Sequence, residues 1–307
     1  MRKITIGKGE IVASEVSLGC MRMADLSIRD AAAAINASLE SGINFFDHAD
    51  IYGAGKSEEI FSQAIGMKPS VREKMFLQSK CGINLDPKRF DFSKEHILQS
   101  VDGILKRLNT EYLDVLLLHR PDALVEPEEV AEAFTILHSS GKVKHFGVSN
   151  QNPMQIELLN RYVNQKLIVN QLQFGIMHTG MIDQSILMNN KFDGAAMRDG
   201  SILDYCRLHD ITIQAWSPFQ YGYFEGVFLG CDKFPELNKA IDEIAKKYGV
   251  PNTAIAVAWI SRHPARIQTI IGTMNPQRIK DACRSSEIQL TRQEWYDIYM
   301  AAGNIMP

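Results

Sequence analysis

An α/β fold of the (β/α)8 TIM-barrel type, with an extra C-terminal helix, is predicted by three observations. Short apolar runs alternate with amphipathic helical patterns from end to end. No composition break or long polar linker divides residues 1–307, which read as one domain. The turn Gly19-Cys20-Met21-Arg22, after the first long apolar run, lacks the glycine spacing expected of a doubly wound dinucleotide-binding sheet.

Taken in order, Met1–Ile6 alternates polar and apolar residues and reads as a short strand, and Ile11–Gly19 as the first barrel strand. Ser27–Ser41 is a helix, with Ser27 and Asp30 placed for a capping box and Gly42 for the stop. Ile43–Asp47 is the second strand, followed by helix Ser57–Gly66 with Glu58 and Glu59 in its first turn. Lys74–Lys80 is a strand, and Ser93–Leu108 a helix with Ile97, Val101, Ile104, Leu105 and Leu108 on one face. Strand Leu113–His119, helix Glu126–Ser140 and strand Lys144–Asn150 follow, and Pro153 suits the first turn of the next helix. Val169–Phe174 and Thr212–Pro218 are strands flanking helix Gly200–His209. Helices Phe234–Tyr248 and Thr253–Arg262 precede the last strand, Ile267–Gly272, then helix Pro276–Arg284 and the extra helix Thr291–Ala301. The least regular stretches, Gly175–Asp199 and Phe219–Asp232, both follow strands and are expected to overhang one barrel face.

Of the 307 residues, 45% are hydrophobic and 22% charged, in the range of a globular protein with a large core. A net charge of −3 argues against nucleic acid or an anionic membrane as the main partner. Cys20, Cys81, Cys206, Cys231 and Cys283 are scattered and show no metal-ligand spacing, so free thiols and a cytoplasmic setting are expected. No segment is apolar enough for a signal core or a membrane span. Oligomeric state is not legible.

Four polar residues occupy the ends of three successive apolar runs. Asp47 ends Ile43-Asn44-Phe45-Phe46, with Tyr52 just beyond; Lys80 ends Met75–Ser79; His119 ends Leu113–Leu118. Singly, each has an ordinary explanation: a turn cap, an amphipathic wall residue, a solvated strand end, a core histidine. In parallel strands they emerge at the same sheet edge, where an acid, a phenol, an ammonium and an imidazole make a proton-transfer site. A metal hydrolase is disfavoured because His48 and Asp50, near Asp47, have no suitably spaced second histidine.

The blocks Asp47-His48-Ala49-Asp50-Ile51-Tyr52-Gly53, Ser79-Lys80-Cys81-Gly82 and Leu117–Asp122, with Gly141–Asn150 and Ile271–Ile279, lie in order across the chain. On these blocks the chain resembles the aldo-keto reductases over essentially its whole length. Within that family it looks most like bacterial oxidoreductases with HADIYG, SKCGI and HRPD blocks. The resemblance implies NADPH-dependent reduction of a small-molecule aldehyde or ketone. Tyr52 is then the general acid, Lys80 the cation that lowers its pKa, Asp47 the partner of Lys80, and His119 the group orienting the carbonyl.

The resemblance also implies a cofactor set. Ser149, Asn150 and Gln171 meet the nicotinamide carboxamide, and Trp216 stacks on the ring where most members have Tyr. Ser217, Gly272 and the Thr273-Met274 backbone cradle phosphates, joined by the first-strand turn of Gly19, Cys20 and Met21. Arg278 meets the 2′-phosphate, since a guanidinium binds two oxygens at once. Asp281 stands on the adenine side but is followed by Ala282, where the family often has Asn. The implied pocket wall of Met21, Met23, Ile51, Tyr52, Phe90, Phe174, Tyr221 and Tyr223 suits apolar or aromatic carbonyls. The alternative function is a regulatory or sensor subunit of the same fold that binds NADPH with negligible turnover. It has no need of a poised phenol, which favours the enzyme.

Overall fold

The computed structural model describes Met1–Pro307. Strands β1 (Lys3–Ile6) and β2 (Ile11–Ser14) form an antiparallel hairpin. Barrel strands β3 (Val16–Gly19), β4 (Phe45–Asp47) and β5 (Phe76–Cys81) follow, and a second hairpin, β6 (Ile83–Leu85) with β7 (Lys88–Phe90), leaves the end of β5. The barrel continues through β8 (Leu113–Leu118), β9 (Val143–Ser149), β10 (Leu167–Gln173) and β11 (Thr212–Trp216). A small ribbon, β12 (Gln220–Tyr221) and β13 (Gly226–Val227), precedes the last barrel strand, β14 (Gln268–Ile271). The eight barrel strands pair in parallel in chain order, and β14 pairs with β3 to close the ring. This is the expected (β/α)8 barrel, with the expected extra helix at Arg292–Ala301.

One expected element divides in two. Ile11–Gly19 is not a single strand, because only β3 enters the barrel while β2 turns away to pair with β1. The break falls at Glu15, which is buried and accepts a 3.0 Å bond from Arg2 Nε. Buried charge needs such a partner. The hairpin then closes the lower end of the barrel: Ile6, Ile11 and Ala13 pack with Phe45, Val115, Leu117, Ile168 and Val169 in a cluster of their own.

The helices form where their apolar faces can cover the barrel. Helix Lys94–Leu108 buries the five predicted residues, each such aliphatic side chain contributing roughly 1.5–3 kcal/mol. Ser27 Oγ accepts from Asp30 N at 3.1 Å to start helix Ile28–Glu40. The terminal helix is fixed by a capping box at Thr291 and Glu294 and by Trp295, which stacks on Trp259 with ring centroids 4.7 Å apart. Each indole N–H donates to the other residue's carbonyl at 3.0 Å. The two irregular stretches contain more structure than their sequences indicate: helix Gly180–Ile186 in the first, and the β12–β13 ribbon in the second.

Strand register brings the functional candidates to one rim. Gly19 pairs with Asp47, Asp47 with Gln78, Ser149 with Gln171, and Gln173 with Trp216. Side chains just beyond these pairs share one end of the barrel, where active sites of this architecture form.

Candidate active site

Asp47, Lys80 and Tyr52 meet at the C-terminal ends of β4 and β5. Lys80 is fully buried, and its Nζ donates to Asp47 Oδ2 at 2.8 Å, the His48 carbonyl at 2.7 Å and the Tyr52 hydroxyl at 3.1 Å. A buried ammonium is tolerable only with such a complete set of acceptors. His119, one residue past β8, is anchored by its backbone N–H to the Cys81 carbonyl at 2.9 Å. Its ring stands edge-on to Tyr52, with centroids 6.1 Å apart. The four predicted groups therefore converge.

Their electrostatics differ in one respect from the expectation. Burial raises the Tyr52 pKa, and although Lys80 pulls it down, the net shift is upward. Tyr52 is thus a protonated phenol at neutral pH. Burial depresses Lys80, but Asp47 and Tyr52 together reverse this and hold it above its ordinary value. Burial, then Lys80 and Arg120, push His119 well below the usual histidine range, so it is neutral. Its Nδ1 has no hydrogen-bond partner.

Asp47 is held by a belt of amides across the barrel interior. Gln78 Nε2 and Gln171 Nε2 donate to its Oδ1 at 2.7 and 3.0 Å. Both also reach Gln214 Oε1, whose own Nε2 donates to Gln268 Oε1 at 2.8 Å. Gln268 ends the belt on the Ser14 carbonyl at 2.7 Å. Both side-chain oxygens of Asp47 are therefore fixed, one by the ammonium and one by amides.

A cavity of about 810 Å3 opens over this group. Asp47, Tyr52 and His119 line it, as do Gly272, Thr273 and Arg278. Gly19, Met21, Ser149, Asn150, Gln171, Trp216 and Ser217 also line it. Trp216 Nε1 donates to Asn150 Oδ1 at 3.2 Å, fixing the indole edge. Asn150 and Ser217 both have left-handed backbones (φ 55 and 50), a costly conformation that clusters at functional positions.

Three predicted residues are not among those that line this cavity. Cys20 is fully buried, its thiol turned to the Leu18 carbonyl. Met274 packs against the hydrophobic core. Asp281 accepts from Gln277 Nε2 at 2.9 Å on its own helix and does not line the cavity. The expected apolar wall is also only partly there. Met21, Ile51, Tyr52 and Tyr223 line the cavity, and Tyr221 does not. Met23 and Phe174 are fully buried, the latter against Trp259, and Phe90 is exposed on the β6–β7 hairpin.

Several lining residues were not singled out from sequence. Arg22 Nη1 donates to the Gly272 carbonyl at 3.0 Å, and Arg120 lies over the Trp216 ring at 5.6 Å. Each follows a strand end by a few residues, and that position was the available signal. Asn252 and Thr253, which begin helix Asn252–Ser261, line the same cavity.

Comparison with known proteins agrees with this barrel. The sequence pattern of the Aldo/keto reductase family matches residues 15–301. An uncharacterised oxidoreductase of Bacillus subtilis is 34% identical over 313 residues, covering 98% of each chain. A protein of Agrobacterium fabrum described as a 6-dehydroglucose reductase is 33% identical, again over 98% of each. A Klebsiella pneumoniae aldo/keto reductase solved with NADP and acetate has the same fold, with a TM-score of 0.78 at 22% identity over 99% of this chain and 96% of that one. With an ordered match across nearly its whole length, the chain belongs to the aldo/keto reductase family.

Proposed function

We propose that the protein reduces a small aldehyde or ketone to an alcohol with NADPH. The observation that carries this reading is Lys80, bonded to both Asp47 and the Tyr52 hydroxyl, with a neutral His119 beside them. A cofactor of dinucleotide size fits what the residues present. The cavity extends from the phenol to two arginines, Arg22 and Arg278, neither of which forms an ion pair. On this reading Ser149, Asn150 and Gln171 hold the carboxamide and Trp216 gives a stacking face. Ser217, Gly272 and Thr273 meet phosphates, and Arg278 takes the 2′-phosphate. When bound, the reduced nicotinamide supplies the hydride equivalent.

The chain's own residues handle the proton and the geometry. Tyr52 gives its phenolic proton to the carbonyl oxygen as that oxygen gains charge. Lys80 stabilises the phenolate left behind, and Asp47 keeps Lys80 charged and in place. His119, neutral, donates a hydrogen bond to the same oxygen and aligns it. The Trp216–Asn150 bond holds the wall against which the reacting groups pack.

Loss of NADPH absorbance in the presence of a panel of aldehydes, ketones and sugars tests the reading. Consumption at rates set by the carbonyl compound supports it. Tight NADPH binding without consumption favours the sensor subunit instead.

A further inference from the structure

The amides that hold Asp47 all run in one direction. Gln171, Gln214 and Gln268 are paired in register across β10, β11 and β14, and Gln78 pairs with Asp47 across β5 and β4. An amide can face either way, so its neighbours decide which end donates. At one end of the chain stands the Ser14 carbonyl, which can only accept, and Gln268 turns its Nε2 to it at 2.7 Å. Gln268 Oε1 therefore faces Gln214, whose Nε2 donates to it, and Gln214 Oε1 is left to accept from Gln78 and Gln171. At the other end Asp47 Oδ1, a carboxylate oxygen, accepts from the same two amides.

Both ends impose the same sense, and one unpaired atom records it. Gln78 is fully buried, and its Oε1 has no partner. Turning that amide round would set its oxygen against Asp47 Oδ1 and Gln214 Oε1, which is worse than leaving it unpaired. Gln171 is turned the same way, but it lines the cofactor cavity and its Oε1 is not sealed off. A second, shorter chain fixes its neighbour. The Trp216 indole can only donate, and it takes Asn150 Oδ1 at 3.2 Å, so Asn150 Nδ2 faces Ser149 Oγ at 2.8 Å. Ser149 Oγ and the Asn150 backbone N–H both donate to the Gln171 carbonyl, at 2.9 and 3.0 Å. Asn150 Nδ2 keeps a second hydrogen, and Asn150 lines the same cavity. The cavity wall therefore carries an acceptor on Gln171 and a donor on Asn150.

We propose that Gln214 and Gln268 are positioning residues: by fixing the direction of the Gln171 amide, they make the cavity select a nicotinamide whose carboxamide offers an N–H. Both are fully buried and neither lines the cavity, so they reach the carboxamide only through Gln171. Gln171 Oε1 accepts from the carboxamide nitrogen, and Asn150 Nδ2 donates to the carboxamide oxygen. With Gln268 made apolar, Gln214 Nε2 loses its acceptor. The Gln214 amide then turns its nitrogen toward Gln171, which turns in response and presents its donor end to the cofactor. The proposal rests on the reading of Ser149, Asn150 and Gln171 as the carboxamide site.

Tryptophan-fluorescence titration with NADP+ and with its 3-acetylpyridine analogue, in which a methyl group replaces the amide nitrogen, tests this. The two share every phosphate, so the ratio of their Kd values reads the carboxamide alone. The wild type should bind NADP+ at least about tenfold tighter, because the methyl group leaves Gln171 Oε1 without a donor. Gln268→Met should bring the two affinities within about threefold of each other, and Gln214→Met should do the same should the first variant fail to fold. Gln268→Glu at pH 5.5 should keep the wild-type ratio, since a buried carboxyl holds its proton there, donates it to the Ser14 carbonyl and accepts from Gln214. A loss of packing alone would not separate Glu from Met in this way. Equal affinities in the wild type, an unchanged ratio in the Met variants, or a lost ratio in Gln268→Glu at pH 5.5 overturns the proposal. A failure of the reductase reading looks different: NADP+ binds but no aldehyde consumes NADPH, and the ratio still decides the matter. No binding of NADP+ to the wild type overturns both.

Discussion

Lys80 Nζ bonds the Tyr52 hydroxyl at 3.1 Å and Asp47 Oδ2 at 2.8 Å, so one buried ammonium links the phenol to the carboxylate. Two opposed effects meet at Tyr52: burial, which raises its pKa, and the ammonium, which lowers it. Burial prevails, and Tyr52 keeps its proton throughout the neutral range.

Lys80→Met removes the only cation bonded to Tyr52, leaving the raising effect of burial unopposed. Carbonyl reduction should fall at least about a hundredfold, the scale of general acid catalysis. In the wild type, kcat/KM should stay level from pH 6 to 9 because Tyr52 and Lys80 both titrate above that window and His119 below it. Whatever activity remains in the variant should lose its alkaline limb to still higher pH. A pH-rate series on both proteins checks this, and an unshifted limb removes Lys80 from the mechanism.

Arg278 should set the choice between NADPH and NADH. A charge-assisted contact to phosphate is worth about 1.5–3 kcal/mol, so NADPH should bind at least about tenfold tighter. In Arg278→Ala, NADPH affinity should fall sharply while NADH affinity barely moves, and added salt should weaken only the wild-type NADPH complex. Quenching of tryptophan fluorescence, with Trp216 in the cavity wall, reports both titrations. An equal loss of both cofactors means that Arg278 is an ordinary surface residue.

Asp50 makes stability fall as pH rises. Burial, and then repulsion from Glu58, push its carboxyl up to about 7, and its Oδ1 has no partner. Between about pH 4 and pH 7 the unfolded chain has lost this proton and the folded protein keeps it, so the folded state loses relative stability across that window. Asp50→Asn should therefore melt higher than the wild type at pH 8, with the difference gone by pH 4. Calorimetric melting at the two pH values measures it, and a difference of the same size at both contradicts the assignment.

The barrel was legible because its strands are short, apolar and bounded by turn residues, as in Leu113–Leu118, and because Ser27 and Gly249 punctuate helices locally. The division at Glu15 was not, because its partner is Arg2, thirteen residues away and just before β1. Asp47, Tyr52, Lys80 and His119 were legible through their place at strand ends. The amide belt was not: Gln78, Gln171, Gln214 and Gln268 are scattered along the chain, and only closure of the ring turns them toward one another. The pocket wall failed for a similar reason. Whether Phe174 faces the cavity or Trp259 depends on how the chain leaves β10, and that is decided by distant packing. The expectation of apolar substrates rested on that wall, of which Met21, Ile51, Tyr52 and Tyr223 line the cavity.

Tyr52 is the proposed proton donor. Single-turnover oxidation of NADPH by a reactive aldehyde, compared in the wild type and Tyr52→Phe, tests it most directly. The phenol contributes one oxygen, bonded to Lys80, so its loss should leave NADPH affinity nearly unchanged and slow the turnover at least about a hundredfold. An equal rate in the Phe variant, with the cofactor bound as tightly, places the acid elsewhere.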